Sequence, residues 1–403
     1  MNRLDLISIR NILSIRYNPK ENSLILPATW KNFNNKTTDI KGKKTEKLLI
    51  NYAQELFQNK TGPLVVSLSS GIDSSLCLAI IRKAFPNKEV ISICGIFEKS
   101  NDESKLARKI AKQFDTKFKT VQMPSIFTTM PEIISVTKKP KWNTYTHVIA
   151  KEASKYGTDF ITGDGADEIF GGYVFRYSKF LNLFQSNDNW KVRIINYLEC
   201  HNRDWVSDQE QIFGSRIKFD WNTIYIYFKT YFKNSLDPLQ QVMLADFNGK
   251  LLHDFIPTAK EIASNYNLNS NSLFLKSKII NFGLSLPSKQ KYDYKLNKGK
   301  LILRDIAKRY KIDHIEHKKG FSPSLWFDWQ NNGKKIFEKF VLEKDSNIFK
   351  NKLINYNWVL RAFERIENDG DIRYLNRLIS LLALEIWYRI FVNKDLDKNT
   401  KLF

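Results

Sequence analysis

The sequence predicts an α/β protein, with a parallel sheet covered by helices and a mostly helical C-terminal half. Three observations predict it. Between residues 63 and 162, short apolar runs alternate with segments of helical spacing, the pattern of a parallel sheet covered on both faces. Ser/Gly-rich turns follow two of those runs, which puts a ligand site at the carboxyl ends of the strands. After about residue 185 the strand signal fades, and aromatic-rich, helix-like segments continue to Asn393.

The elements follow in order. Residues 9–26 alternate enough to predict short strands. Residues 32–44 are polar and read as a loop or linker. Residues 47–59 place Leu48, Leu49, Tyr52, Leu56 and Phe57 on one helical face. Residues 64–68 form an apolar run before a Ser/Gly turn, a buried strand, and residues 74–85 form a helix ended by Pro86. Residues 90–94 are a second strand. Asn101 or Asp102 then caps a helix whose apolar face is Leu106, Ala107, Ile110, Ala111 and Phe114. Residues 118–121 are a third strand. A helix through Val148, Ile149, Ala150 and Ala153 stops at Gly157, and residues 159–162 are a fourth strand. These boundaries divide the chain into a short N-terminal segment (1–44), an α/β core (45–185) and a helical part (186–403).

Composition narrows the class. With 403 residues, 42% hydrophobic and 26% charged, the chain is neither a disordered polar polymer nor a membrane bundle. The stretch nearest to a membrane span, residues 378–392, is broken by Glu385 and Arg389. The first residues lack a continuous apolar core and a small-residue cleavage site, so no signal peptide is expected. Cys77, Cys94 and Cys200 are widely spaced and form no CxxC pair. A reducing, cytoplasmic location and no membrane contact are the expectation. The net charge of +22 has two readings of equal standing. One is attraction to polyanions, with nucleic acid as a partner and the basic-aromatic stretch 138–142 (KKPKW) as a contact. The other is a Lys-rich composition on a solvated surface.

Two segments carry chemistry. In Val65-Val66-Ser67-Leu68-Ser69-Ser70-Gly71-Ile72-Asp73-Ser74-Ser75 a buried strand runs into a Ser/Gly turn and a helix. That geometry aims backbone N–H groups and a helix N-terminus at one point, which suits a phosphate. Ser69, Ser74 and Ser75 add hydroxyl donors. Asp73 repels a bare anion, so a bridging cation such as Mg²⁺ is expected beside it. A helix cap with Asp73 in the first turn is the plainer alternative. The Walker A spacing and its lysine are missing. The second segment is Gly163-Asp164-Gly165-Ala166-Asp167-Glu168-Ile169-Phe170-Gly171-Gly172-Tyr173. Its three carboxylates in five residues repel one another unless a cation or proton lies among them. An acidic helix start is the plainer alternative here too.

Together the segments resemble the synthetase domain of the asparagine synthetase family and of its β-lactam-forming and lasso-peptide-cyclising relatives. Those proteins share a pyrophosphatase-loop fold of the adenine nucleotide α-hydrolase-like type, with motifs S-G-G-x-D-S and S-G-[ED]-G-[AS]-D-E-x-[FL]-x-G-Y. Here these read Ser69 to Ser74 and Thr162 to Tyr173. Phe282-Gly283-Leu284-Ser285-Leu286-Pro287, Lys300-Leu301-Ile302-Leu303-Arg304 and Lys318-Lys319-Gly320-Phe321-Ser322-Pro323 resemble the family's third motif, and residues 381–387 its closing helix. The resemblance covers roughly residues 45–393.

The resemblance implies an ATP-dependent amide-forming ligase. A carboxylate, aspartate by family prior, attacks the α-phosphorus, and ammonia or an amine attacks the acyl-adenylate. AMP and pyrophosphate are released. It implies that Asp73 and Asp167 hold Mg²⁺, and that Ser69, Gly71, Ser74 and Ser75 cradle the pyrophosphate of ATP. Gly95 sits at the adenine-contacting turn, Gly163 lines the nucleotide site, and Lys318 and Asp164 are catalytic. Other implied outcomes of the same fold are a β-lactam or macrolactam ligase, a tRNA-modifying enzyme and a silent nucleotide-binding module.

The chain also departs from the family. Residue 2 is Asn rather than the exposed catalytic cysteine of glutamine-using members, so residues 1–44 are at most a glutaminase-domain remnant. The expected nitrogen sources are free ammonia, a substrate amine or a separate glutaminase partner. Ser70 stands where the motif has Gly, a penalty if that position needs positive φ. Asp164 replaces the more usual Glu, and Glu316 an Arg. Of the signature K-x-D-R-x-S-M-x-x-x-x-E-x-R-x-P-F-L-D, aligned from Thr258, only Phe274 and Leu275 survive.

Overall fold

The computed structural model describes residues 5–97, 103–143, 145–201, 205–312 and 324–403. Helices α1 (Leu6–Ile15) and α2 (Lys43–Phe57) precede the sheet. Then follow β1 (Leu64–Ser67), α3 (Ile72–Ala84), β2 (Val90–Ile96), α4 (Ser104–Gln113), β3 (Lys117–Gln122), α5 (Met130–Thr137), α6 (Thr146–Ala153), β4 (Asp159–Thr162) and α7 (Ala166–Phe170). Helices α8 (Val174–Leu183), α9 (Trp190–Glu199), α10 (Trp221–Phe232), α11 (Pro238–Asp246) and α12 (Ile256–Asn265) lead to β5 (Asn269–Ser272). Helices α13 (Ser277–Leu284) and α14 (Leu301–Arg309) follow, and the C-terminal part carries Tyr356–Asp369 and Ile372–Tyr388. Among the described residues no helix is long and apolar enough to cross a membrane.

The five strands are parallel, in the order β3-β2-β1-β4-β5. The chain winds outward from β1 through β2 to β3, then returns to place β4 on the other side of β1. The strand order therefore reverses between β1 and β4, and a crevice opens at their carboxyl ends. Alternate residues of β1 enter different cores. Leu64 and Val66 face α3 residues such as Leu76 and Ile80, while Val65 joins Ile91, Ile93 and Phe160 under α5 and α6. A strand buried on both faces reads as a continuous apolar run, which is why β1 and β2 stand out in the sequence, while β4 shows only Phe160 and Ile161 between Asp159 and Thr162.

Two expectations fail. Residues 9–26 contain no strand; α1 occupies their first part. It buries Ile9, Ile12, Leu13 and Ile15 together with Ser8, Asn11 and Ser14, so burial nearly all round hides the helical period. Asp5 caps it by accepting from the Ser8 N–H. The strand β5, in the half expected to be helical, has the sequence Asn-Ser-Asn-Ser. It carries no hydrophobic signal and is fixed by pairing Asp159↔Asn269 through Thr162↔Ser272 with β4. The expected caps Asn101 and Asp102 lie outside the described residues.

Candidate active site

The loop after β1 is wound on its own hydroxyls. Ser69 N–H donates to Ser74 Oγ at 3.0 Å, and Gly71 N–H donates to Ser69 Oγ at 3.1 Å. Ser74 Oγ lies 2.9 Å from Ser69 Oγ, and Ser75 Oγ donates to the Ser69 carbonyl at 3.2 Å. This ties the turn to the first turn of α3, whose first residues Ile72 and Asp73 follow Gly71. The loop faces the crevice with a helix N-terminus at its base, the arrangement expected for a phosphate cradle. Ser70 does not take a positive φ. The penalty expected for a non-glycine residue there does not arise. Instead the Ser70 hydroxyl donates to Glu103 Oε2 at 2.8 Å, joining the loop to the start of α4.

The acidic segment forms the opposite wall. Gly163 packs so closely on the start of α3 that a Cβ there would lie 2.9 Å from the Cβ of Asp73. Asp164 accepts from Thr162 Oγ1 at 2.8 Å, and its carbonyl accepts from Ser272 Oγ of β5 at 2.5 Å. Burial raises the Asp164 carboxyl above its ordinary range, the Thr162 hydroxyl opposes this, and nearby Asp167 adds to it. Gly165, at φ +87°, turns the chain into α7, which brings Asp167 to the crevice. Glu168 points inward, where burial first and Asp167 second push it up to about 8; Tyr173 donates to it at 2.6 Å.

The two aspartates meet on one residue. Lys300 Nζ lies 2.6 Å from Asp73 Oδ2 and 2.6 Å from Asp167 Oδ1. Burial opposes the charge of this ammonium, but Asp167 and Asp73 outweigh burial and hold it well above the ordinary lysine range. Lys300 reaches the site because Gly299 and Lys300 dock on the turn after α7, with Lys300 N–H donating to the Gly171 carbonyl at 3.2 Å. A Cβ on Gly172 would lie 1.6 Å from Asp167 Oδ1 and 2.4 Å from Lys300 Cε. A side chain there would have to push both of these side-chain ends aside.

The structure thus brings together Ser69, Gly71, Asp73, Ser74, Ser75, Gly163, Asp164 and Asp167. Gly95 lies inside β2 rather than after it, paired with Val121, because β2 runs on to Ile96. It remains near the carboxyl edge of the sheet. Lys318, with Glu316 and the rest of residues 313–323, lies outside the described residues. In the sequence Lys300 is only one residue of a motif, and its position between two carboxylates leaves no local signal. Phe274 and Leu275, the survivors of the central signature, pack behind the acidic segment. Phe274 stacks edge-on with Phe170 at 6.1 Å, and Leu275 fills the space beside Gly165. The KKPKW stretch is largely engaged within the protein, with Lys138 still exposed. Lys138 pairs with Glu261, Lys139 with Glu21 and buried Lys141 with Asp254, while buried Trp142 donates to Ser380 Oγ. These side chains join the α/β core to the N-terminal segment and to the helical part.

Two carboxylates converge on a single cationic atom beside Gly172, so a divalent cation held by both would take the place of the Lys300 ammonium. The asparagine synthase family model matches residues 55–389. The chain belongs to the asparagine synthase family. Asparagine synthetase [glutamine-hydrolyzing] 1 of Bacillus subtilis is 21% identical over 367 residues, covering 82% of this chain and 57% of its own length. The chain therefore spans little more than half of that relative. An NH(3)-dependent NAD(+) synthetase of Carboxydothermus hydrogenoformans is 35% identical over 80 residues, 20% of this chain and 32% of its own length. A solved NMN synthetase from Francisella tularensis aligns at 13% identity and a TM-score of 0.27, covering 57% of this chain and 94% of its own.

Proposed function

We propose that this family member is an ATP-dependent amide-forming ligase that adenylates a carboxylate, with aspartate the leading acceptor. The convergence of Asp73, Asp167 and Lys300 at the switch point between β1 and β4 carries the reading.

In this reading the Ser69–Ser75 turn receives the pyrophosphate end of ATP through its N–H and hydroxyl donors. Asp73 and Asp167 would hold Mg²⁺, which supplies charge neutralisation to the phosphates. Lys300 contributes fixed positive charge beside the same two carboxylates, and Lys318 is assigned the α-phosphate. An acceptor carboxylate oxygen bonds to the α-phosphorus as the bond to pyrophosphate breaks. The nitrogen of ammonia or an amine then bonds to the acyl carbon, AMP leaves, and the nitrogen's surplus proton passes to solvent. Asp164 is assigned to the amine in this reading; it is one methylene shorter than glutamate and accepts from Thr162 Oγ1. Most of the acceleration comes from positioning and fixed charge.

The test is pyrophosphate release from ATP and Mg²⁺ with aspartate and ammonium, against a control without aspartate. Aspartate-dependent release, abolished in Asp167→Asn, is expected. An ATP-binding preparation silent with aspartate removes that acceptor. Release by Asp167→Asn at the wild-type rate removes the ligase mechanism.

A further inference from the structure

The lysines of the KKPKW stretch are engaged by carboxylates, yet the chain carries a net charge of +22. Part of the excess is concentrated on one side of the sheet. On α4, Lys105, Arg108 and Lys112 are exposed at spacings of three and four residues, on the face opposite buried Ala107, Ile110 and Ala111. They form one stripe about 10 Å long. Among the described residues none of the three makes an ion pair, and Arg108 lies over the ring of Phe118 at 4.8 Å.

The stripe continues across two helices. Gln113, at the end of α4, donates to the Tyr310 carbonyl at 2.7 Å, and Phe114 meets the Tyr310 ring at 6.5 Å. This contact brings Lys308 and Lys311, both exposed, beside the end of α4. Arg309 and Tyr310 in turn hold Glu46 of α2, so the carboxylate nearest the seam is paired. Exposed Lys43, Lys44 and Lys47 extend the basic surface along α2. Among the described residues, Asp305 and Asp115 are exposed carboxylates at its margins. Cations at helix ends answer the helix dipole, but the dipole acts within the last turn and does not account for Lys105, Arg108 or the N-terminal lysines of α2.

The surface is also oriented. Helix α4 starts at Glu103, which holds the phosphate-cradle residue Ser70. Helix α14 starts at Lys300, which holds Asp73 and Asp167. A ligand lying along either helix therefore points at the nucleotide crevice, about 15 Å away at its far end. Large apolar residues, which a lipid surface would require, are not exposed on α4 or α14.

We propose that the face formed by α4, the C-terminal end of α14 and the start of α2 binds the phosphodiester backbone of a nucleic acid. The proposal is independent of the ligase reading, because binding needs neither ATP nor turnover.

Fluorescence anisotropy with unfractionated tRNA and with a 20-base-pair DNA duplex tests it, between 50 and 200 mM KCl. Binding to either that weakens steeply with salt is expected, at about 0.7–0.9 of a log–log slope unit per phosphate contact. The stronger probe identifies which nucleic acid the face prefers. The triple variant Lys105→Glu, Lys112→Glu, Lys308→Glu should lose at least about tenfold in affinity and about two units of slope. The charge-matched triple Lys335→Glu, Lys398→Glu, Lys401→Glu, elsewhere on the surface, should lose less than about threefold. Thermal melts matching wild type establish that both triples are folded. Equal losses in the two triples, no binding of either probe at 50 mM, or binding to phosphatidylserine vesicles in place of both probes each overturn the proposal.

Discussion

Lys300 Nζ sits 2.6 Å from the carboxylates of both Asp73 and Asp167, although it follows Asp73 by 227 positions in the chain. One ammonium thus balances two carboxylates that would otherwise repel each other. Lys300→Met removes the balance and leaves the pair facing each other, a loss below the about 3–5 kcal/mol of breaking a fully buried pair, because both carboxylates are partly exposed. The variant should melt several degrees below wild type in EDTA. Added MgCl₂ should raise its midpoint more than that of wild type, because the cation takes over the vacated role. A Lys300→Met protein whose melt is indifferent to Mg²⁺ would show that the two carboxylates do not form a cation site.

Gly172 supports the same cluster by having no side chain. A Cβ would lie 1.6 Å from Asp167 Oδ1, so Gly172→Ala must displace that carboxylate. Displacement by about 1 Å at a reacting centre costs about a hundredfold in rate. Pyrophosphate release should fall by at least that factor while far-UV circular dichroism is preserved. Gly62→Ala, at a position with nothing within 4 Å of the added carbon, is the control and should be unchanged. Comparable rates in the two variants would refute the packing argument.

The Ser70–Glu103 bond, at 2.8 Å, anchors the phosphate cradle to α4. Hydrogen bonds to charged groups are worth about 1.5–3 kcal/mol when buried, and Glu103 is only half-buried, so about 1 kcal/mol is expected. A double-mutant cycle of Ser70→Ala with Glu103→Ala, read by urea denaturation, should show a coupling of that size. Ser70→Gly should be no more stable than Ser70→Ala, since the position has no positive φ to relieve and glycine adds freedom to the unfolded chain. A gain in stability from glycine would contradict the observed backbone.

Lys291 is buried, with its ammonium over the Phe33 ring at 5.3 Å and donating to the Leu284 carbonyl at 3.3 Å. Burial pushes it down to about 7, with only partial opposition from Asp237. Between pH 7 and about 10.4 the unfolded lysine holds a proton that the folded one does not, so stability rises with pH across that window. Below pH 7 both forms are protonated and the cost of the buried charge is present in full. Lys291→Met should therefore flatten the rise, a change of order 1–4 kcal/mol. Urea midpoints at pH 6.5 and 9.5 check this; parallel profiles for wild type and variant count against it.

The elements that the sequence displays are those whose burial repeats with a regular period. The strands β1 and β2 are largely apolar runs because helices cover both faces. Helix α1 and strand β5 are hidden for opposite reasons. The first buries polar as well as apolar side chains nearly all round, and the second is held by backbone pairing with scarcely any apolar surface. The candidate site divides in the same way. Ser69, Asp73, Asp164 and Asp167 are legible because a Ser/Gly turn and an acidic run concentrate unusual chemistry in a few neighbouring residues.

The local chemistry is written in the chain: which turns carry donors, which carry carboxylates, and that both follow strands of one parallel sheet. Which distant lysine answers those carboxylates, and which lysines remain on the surface, is set by the fold. Lys300 and Lys141 look alike in a list of cations. One is brought between two aspartates by the docking of Gly299 on Gly171, and the other is buried against Asp254. The strength of a charge interaction depends on distance and burial, and for partners far apart in the chain only the fold sets those two quantities.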